Sequence, residues 1–458
     1  MASSASRSST ARRWPAWTLV ALLLSPAAAA AQDAAADGDG DIADIVVDSQ
    51  TRILYPIALP DLLAKGEGKA TREAAATAID ALRTDLAISG YFNQIPPKSF
   101  LHDWRSEGLA VASIKFKDWF NVGAQALVKG AASGKGGKVL LDLRLFKVDS
   151  GKRIKLNWEA KEVGRKQVRA EVHRFANEVV RHFTGEPGIF GSRMAYVRKV
   201  GNGNKAVFVM DHDGHRRRRI STTDTLNLLP GFSRNGGSIV YTSYAKGNPD
   251  LYLHRLGSKQ AVALAAYKGM NVGGAFSPSG KTIAVTLSRD GNSEIYLLSA
   301  SDGAIQKRLT NNWAIDSSPT WSPDGKRLAF VSDRSGTPQI YVMSASGGEA
   351  KRLTFQGTYN TTPEWSPKAG LIAFTARDER YKFDIFTVDA GSGQIKRLTQ
   401  NQGNNEEPTW APDGRYLAFT STRTRGQKIW VMTADGQHQT CVTPDGSGYS
   451  TPSWGPAP

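Results

Sequence analysis

The sequence predicts two domains, a small α/β domain followed by an all-β six-bladed propeller closed by its C-terminal strand. Three observations carry this. An aromatic residue recurs at Phe232, Phe276, Trp321, Trp365, Trp410 and Trp454, 44 or 45 residues apart. Five of these are followed by a turn containing Gly ("SRNG", "SPSG", "SPDG", "SPKAG", "APDG") and then by short alternating apolar runs. Before about residue 185 the composition changes, and over Lys69 to Gly90 the apolar residues fall at helical spacing.

In chain order, Arg7, Arg12 and Arg13 precede an apolar run from Trp14 to Leu24 and the small residues "SPAAAAA". That is the layout of an export signal over residues 1–31, cut near Ala30 or Ala31, and its apolar run is short for a membrane span. Residues 32–47 read as a flexible acidic segment. Its second half holds Asp41, Ile42, Asp44, Ile45, Val46 and Val47, β-formers beside carboxylates, suited to adding a strand to a partner's sheet edge.

The α/β domain is expected over residues 48–185. "RILYPIAL" reads as a strand, and Ala75, Ile79, Leu82 and Leu86 mark a helix from Lys69 that stops at Gly90. "AQALVKG", "KVLLDLRLFKV" and "RIKLNWEAKEV" read as a three-stranded meander, with "GAASGKGGK" (Gly130 to Lys138) as a flexible hairpin loop. That loop lacks the spacing of a phosphate loop. Val168 to Phe183 reads as a closing helix.

The propeller is expected over residues 186–458. Asp-Gly pairs such as Asp324-Gly325 suit tight hairpin turns, because Gly accepts the positive φ such turns demand. Four short strands in about 45 residues is the period of a propeller blade. Residues 194–221 carry three strands of a blade without its aromatic one, and "TPSWGPAP" carries that missing strand alone. Joined, they complete a sixth blade and leave no unpaired edge inside the ring.

The formal charge is +16, from 58 Lys and Arg against 42 Asp and Glu. The run Arg216 to Arg219 has no interleaved aromatics for base stacking, so it reads as a charged outer edge strand and not a nucleic-acid site. Cys441 is the only cysteine; it cannot form an internal disulfide and reads as a buried small apolar residue. No G-x-S-x-G elbow occurs. His212 and His215 in "DHDGH" read as exposed residues of a hairpin turn, since no further ligands complete a metal site. Neither metal, cofactor, small-molecule substrate nor catalytic residue is expected.

One position stands out. Five residues before each aromatic anchor lie Asn227, Asn271, Asp316, Asn360, Asn405 and Tyr449. Asn and Asp there can serve to turn the backbone, or can offer a polar ring at one mouth of the central channel. The variable neighbours Ser317, Tyr359, Thr361 and Glu406 are the better candidates for recognition.

This arrangement of an exported chain, a small α/β domain and six W-S-P-D-G-type repeats, joined by "FTGEPGIFGSRMAYV", resembles the TolB family. The resemblance implies a first domain folded like anticodon-binding domains, without RNA binding. It implies a non-enzymatic, monomeric periplasmic scaffold of the Tol-Pal envelope system, serving outer-membrane integrity and constriction at division. Such a scaffold is peripheral to the membrane through its partners. The lipoprotein Pal would bind at the propeller mouth, around Asn271, Asp316, Ser317, Tyr359, Asn360, Thr361, Asn405 and Glu406. The C-terminal domain of TolA would bind the acidic segment at Asp41, Ile42, Asp44, Ile45, Val46 and Val47. The chain departs from the family pattern at Met270, where His is frequent, and at Ser318, near which Glu occurs. The alternative class is an exported propeller enzyme or lectin acting on cell-wall glycan; aromatic platforms with paired carboxylates at the channel would favour it.

Overall fold

The computed structural model describes residues 54–66, 68–135, 137–201 and 203–457. The export signal and the acidic segment, with Asp41 to Val47, lie outside the described residues.

The first domain is a seven-stranded sheet with helices against it. Strand β1 (Tyr55–Ala58) is followed by β2 (Leu63–Lys65), helix α1 (Lys69–Ser89), β3 (Phe92–Ile95), the short helix α2 (Phe116–Asn121), β4 (Ala126–Lys135), β5 (Lys138–Lys147), β6 (Lys152–Ile154), β7 (Lys161–Val163) and α3 (Val168–Thr184). β1 lies parallel between β3 and β4, and β5 runs antiparallel to β4. The apolar faces of α1 and α3, with Leu82, Leu86, Val172 and Val179, bury against this sheet.

Two sequence expectations change here. Gly130 to Lys135 is strand, not loop, because β4 pairs with β5 over ten residues as far as Lys135–Lys138. Gly130 suits this packing: a Cβ there would lie 2.6 Å from a Leu143 methyl. The third meander strand is two pieces, β6 and β7, which pair with opposite ends of β5.

The propeller has six four-stranded antiparallel blades. Blades 1–5 begin on the inner strands Asn227–Phe232, Asn271–Phe276, Asp316–Trp321, Asn360–Trp365 and Asn405–Trp410. Blade 6 takes its inner strand, Tyr449–Gly455, from the C-terminus, and pairs it with Arg193–Lys199, then Lys205–Asp211 and Arg218–Arg219. The ring closes as expected.

Two of the aromatic anchors bond their blade to the one before. Trp321 Nε1 donates to Ala275 O at 2.9 Å and Trp410 Nε1 to Glu364 O at 3.0 Å. Trp454 Nε1 donates to Ser192 Oγ at 2.9 Å, locking the closing strand onto the start of the ring. Pro230, Pro319, Pro363, Pro408 and Pro452 sit two residues before the anchors on inner edge strands, where no ladder N–H is required.

The Arg216 to Arg219 run leads into and forms the outer edge of blade 6, and three of its four charges are met: Arg216 by Asp211, Arg217 by Asp445 and Arg219 by Asp224. Cys441 lies on the outer strand of blade 5 and is only half-buried, since that strand faces solvent.

One apolar core runs through both domains, joining Leu82, Phe175 and Val180 to Met194, Tyr416, Val431 and Trp454. Helix α1 ends on blade 5. Gly90, at φ 66°, caps the helix where a Cβ would come within 2.7 Å of Thr433, and Tyr416 Oη donates to Ser89 O at 3.2 Å.

Candidate functional site

The six positions singled out in the sequence are the first residues of the six inner strands. All six are fully buried, and the Asn and Asp side chains bond the loops beside them, whereas the Tyr449 hydroxyl accepts from Arg217. Asn271 Nδ2 donates to Tyr267 O at 2.8 Å while its Oδ1 accepts from Tyr267 N at 2.9 Å. Asp316 takes Arg334 Nη2 at 2.8 Å and Asn312 Nδ2 at 2.8 Å. Asn360 Nδ2 donates to Gln356 O at 2.9 Å, and Asn405 Oδ1 accepts from Ser421 Oγ and Arg423 Nη2, each at 2.7 Å. Their observed contacts are those of loop-shaping residues.

The neighbours differ in exposure. Ser317 is buried, whereas Tyr359, Thr361 and Glu406 are half-buried. Tyr359 and Glu406 come close enough to interact electrostatically: burial raises the Tyr359 phenol, and Glu406 adds to that against Arg377.

Each inner strand also carries a bulge that the sequence did not disclose. Leu229, Gly273, Ser318, Thr362, Glu407 and Thr451, three residues before the anchors, all have left-handed φ between 47° and 64°. At each of them the pairing register shifts. Only one is Gly, so non-Gly residues hold a disfavoured conformation around the channel. In blade 5 the bulge turns Glu407 toward blade 6, where its carboxylate accepts from Thr451 N at 2.6 Å and Thr451 Oγ1 at 3.0 Å. Its neighbour Glu406 lacks such donors. Burial, reinforced by Glu407, pushes the Glu406 carboxyl up to about 8. Glu364, on the inner strand of blade 4, is pushed up to about 7 by burial, opposed by Arg234. Arg234 follows the inner strand of blade 1, so this pull spans the ring.

On the face of the ring where the inner strands begin stand exposed aromatics that sequence patterning missed. Trp313 is 77% exposed, Tyr381 68% and Phe355 59%. Trp313 and Phe355 sit in loops that lead into the inner strands of blades 3 and 4; Tyr381 tips the hairpin between the second and third strands of blade 4. Arginines accompany them: Arg352 lies 4.9 Å from the Phe355 ring, and Arg377 5.1 Å from Tyr381 and 5.8 Å from Tyr359. The signal was present as large aromatics inside polar loops ("TNNWAID", "TFQGTYN", "DERYKF"), which a search built on strand alternation passes over.

The two domains meet at a second polar cluster, and here an expectation is overturned. His212 is not exposed; it is fully buried, with Nε2 2.9 Å from Asp85 Oδ1 on α1. His173 of α3 packs edge-on against it, ring centroids 4.7 Å apart. Only His215 faces solvent. Ligand-capable atoms of Asp85, His173, His212 and Asp213 lie within 4.8 Å of one another. The packing of α1 and α3 on blade 6 assembles this group from three distant segments.

Comparison with known proteins agrees with both domains. The TolB beta propeller domain model matches residues 180–457, and the TolB amino-terminal domain model matches residues 43–154. The chain belongs to the TolB family. The Tol-Pal system protein TolB of Anaeromyxobacter dehalogenans (strain 2CP-1) is 42% identical over 98% of this chain and 99% of its own length. That of Myxococcus xanthus (strain DK1622) is 42% identical over 88% of this chain and 92% of its own. The crystal structure of TolB from Acinetobacter baumannii superposes with a TM-score of 0.74 at 25% identity, covering 88% of this chain and 97% of that one. TolB family membership assigns the chain a role in the Tol-Pal system.

Proposed function

We propose that this chain is a periplasmic, non-enzymatic scaffold that bridges Pal and TolA, and so supports outer-membrane integrity and envelope constriction at division. The observation that carries the reading is the propeller mouth, where Trp313, Phe355 and Tyr381 stand exposed, the last two beside arginines. Trp, Tyr and Arg are the residues that dominate interface energetics. Family membership supports the Tol-Pal context. No helix among the described residues is long and apolar enough to cross a membrane, which accords with attachment through partners.

In this reading Pal seats on Tyr359, Thr361, Glu406 and the exposed aromatics. Asn271, Asp316, Asn360 and Asn405 contribute by fixing the loops, with Ser317 packed beneath. Arg352 and Arg377 suit carboxylates on the partner's surface. TolA engages Asp41, Ile42, Asp44, Ile45, Val46 and Val47 by strand addition.

Calorimetry with purified Pal and the TolA C-terminal domain tests both halves. Trp313→Ala and Tyr381→Ala are each expected to weaken Pal about tenfold or more, the size of an interface hot spot, with TolA unaffected. Deleting residues 33–47 is expected to abolish TolA binding and leave Pal binding intact. Wild-type affinity for Pal in both aromatic variants would remove the mouth as the site. Exposed aromatics also suit sugar stacking, so cell-wall glycan fragments belong in the same titration. Saturable glycan binding lost with Tyr381→Ala would favour a lectin.

A further inference from the structure

Every hydrogen bond in the domain joint constrains where its protons lie. The backbone N–H of Gly191 points at His212 Nδ1 at 3.2 Å, so Nδ1 is an acceptor and the His212 proton sits on Nε2. That proton goes to Asp85 Oδ1 at 2.9 Å. The other oxygen of Asp85 lies 2.7 Å from His173 Nδ1, which therefore also donates. His173 Nε2 remains. It is buried, has no hydrogen-bond partner, and lies 3.4 Å from Asp213 Oδ2.

The surrounding charges decide what Nε2 carries. On α1, Asp85 is fully buried and Asp80 stands at the rim. On α3 itself, Arg169 donates Nε to Asp213 at 2.5 Å and Nη1 to Asp80 at 2.9 Å. From blade 6 come Asp213, His212 and the half-exposed His215, 4.0 Å from Asp80. Three carboxylates thus face one guanidinium, and two of the three are sealed from water. A neutral His173 would turn a lone pair on Nε2 toward Asp213. A second proton there removes that repulsion and balances the buried charge.

We propose that His173 is held doubly protonated, as a buried imidazolium that ties Asp85 of the first domain to Asp213 of the propeller and makes the domain joint pH-responsive. Burial alone works to lower the affinity of His173 for its proton, but the combined pull of Asp85 and Asp213 outweighs it, against Arg169, and raises it above the ordinary imidazole value. Asp213 is correspondingly held well below the carboxylate range: burial opposes this, and the positive charges of Arg169 and His173 overcome it.

The sign follows from the raised value. An unfolded His titrates near about 6.5, so the tie is at full strength below that pH and is lost as pH rises through the higher folded value. A metal is a poorer occupant of the same space. It would have to displace the Nε2 proton of His212, which the Gly191 bond keeps in place, and compete with Arg169 for Asp213.

The test uses the full mature chain. Histidine side-chain 15N–1H spectra at pH 7 are expected to show His173 with protons on both ring nitrogens, assigned by loss of its signals in His173→Asn. Thermal melting from pH 6 to 9 is expected to shift wild type downward by more than His173→Asn, since Asn keeps a donor to Asp85 and does not titrate. Protection of the linker 185–192 from hydrogen exchange, taken relative to the intrinsic rate at each pH, is expected to fall over the same range in wild type only. A singly protonated His173 at pH 6 overturns the proposal even if the variant does not fold. Parallel melting curves for wild type and variant overturn it too. So does a zinc-induced rise in Tm at one equivalent that His173→Asn abolishes, because that result makes the cluster a metal site.

Discussion

The domain joint and the channel mouth both bury acidic groups, and they treat them in opposite ways. At the joint, Asp85 and Asp213 are sealed from water and each meets cationic or N–H donors, His212, His173 and Arg169. At the mouth, half-buried Glu406 loses solvent without gaining a hydrogen-bond donor among the described residues, and its carboxyl is pushed up to about 8. Paired burial stabilises a connection; unpaired burial stores instability that a ligand can relieve. The same chain therefore uses paired buried charge as fastening in one place and keeps a neutralised, unpartnered carboxyl in the other.

Removing residues 449–458 strikes both regions at once, because the lost strand completes blade 6, which presents Asp213, and closes the channel. It is expected to lower Tm by more than about 10 °C or to prevent cooperative folding, as read by circular dichroism. A melting curve like wild type would mean the ring does not depend on its closing strand.

At the joint alone, Asp85→Ala leaves two histidines without their acceptor. A loss of about 3–5 kcal/mol is expected, as for removing one partner of a buried ion pair, measured by urea unfolding. A loss below that of a surface substitution would dissolve the contrast with the mouth.

At the mouth, removing the carboxylate is expected to stabilise rather than destabilise. Glu406 ionises near about 4.3 when unfolded but stays protonated in the fold to about 8. Folding stability therefore falls as pH climbs between those values and levels off above them. Glu406→Gln is expected to be more stable than wild type at pH 8 by about 1–2 kcal/mol, discounted for its partial solvent access, and to match it near pH 4.5. The smallest stability effect belongs to the rim: Trp313→Ala and Tyr381→Ala are expected to change stability by less than about 0.5 kcal/mol. Any larger loss would make these rings structural instead of free for a partner.

The blades were legible because a propeller repeats its local chemistry. The spacing of Phe232 through Trp454, the Gly turns and the orphan strand at Trp454 are each set by residues close in sequence, and turn and strand preferences act at that range. Helix α1 was legible for the same reason, from its apolar period to its stop at Gly90. The role of Asn271, Asp316, Asn360 and Asn405 was half legible: their recurrence marked the mouth, but whether they faced a partner or their own loops depended on burial.

Tertiary structure alone decided the rest. Asp85 and His212 are 127 residues apart, and nothing local to "DHDGH" announces that α1 will cover it. The "GAASGK" run became strand because a ten-residue partner, β5, lay beside it and outweighed the conformational freedom of its glycines. The left-handed bulges at Ser318, Thr362 and Glu407 run against residue preference, and persist because blades packed around a ring leave the inner strand no straighter course. Sequence determined which elements form, since that is chosen by neighbours along the chain. Packing determined which charges are paired and which are left waiting, since desolvation depends on everything that closes over them.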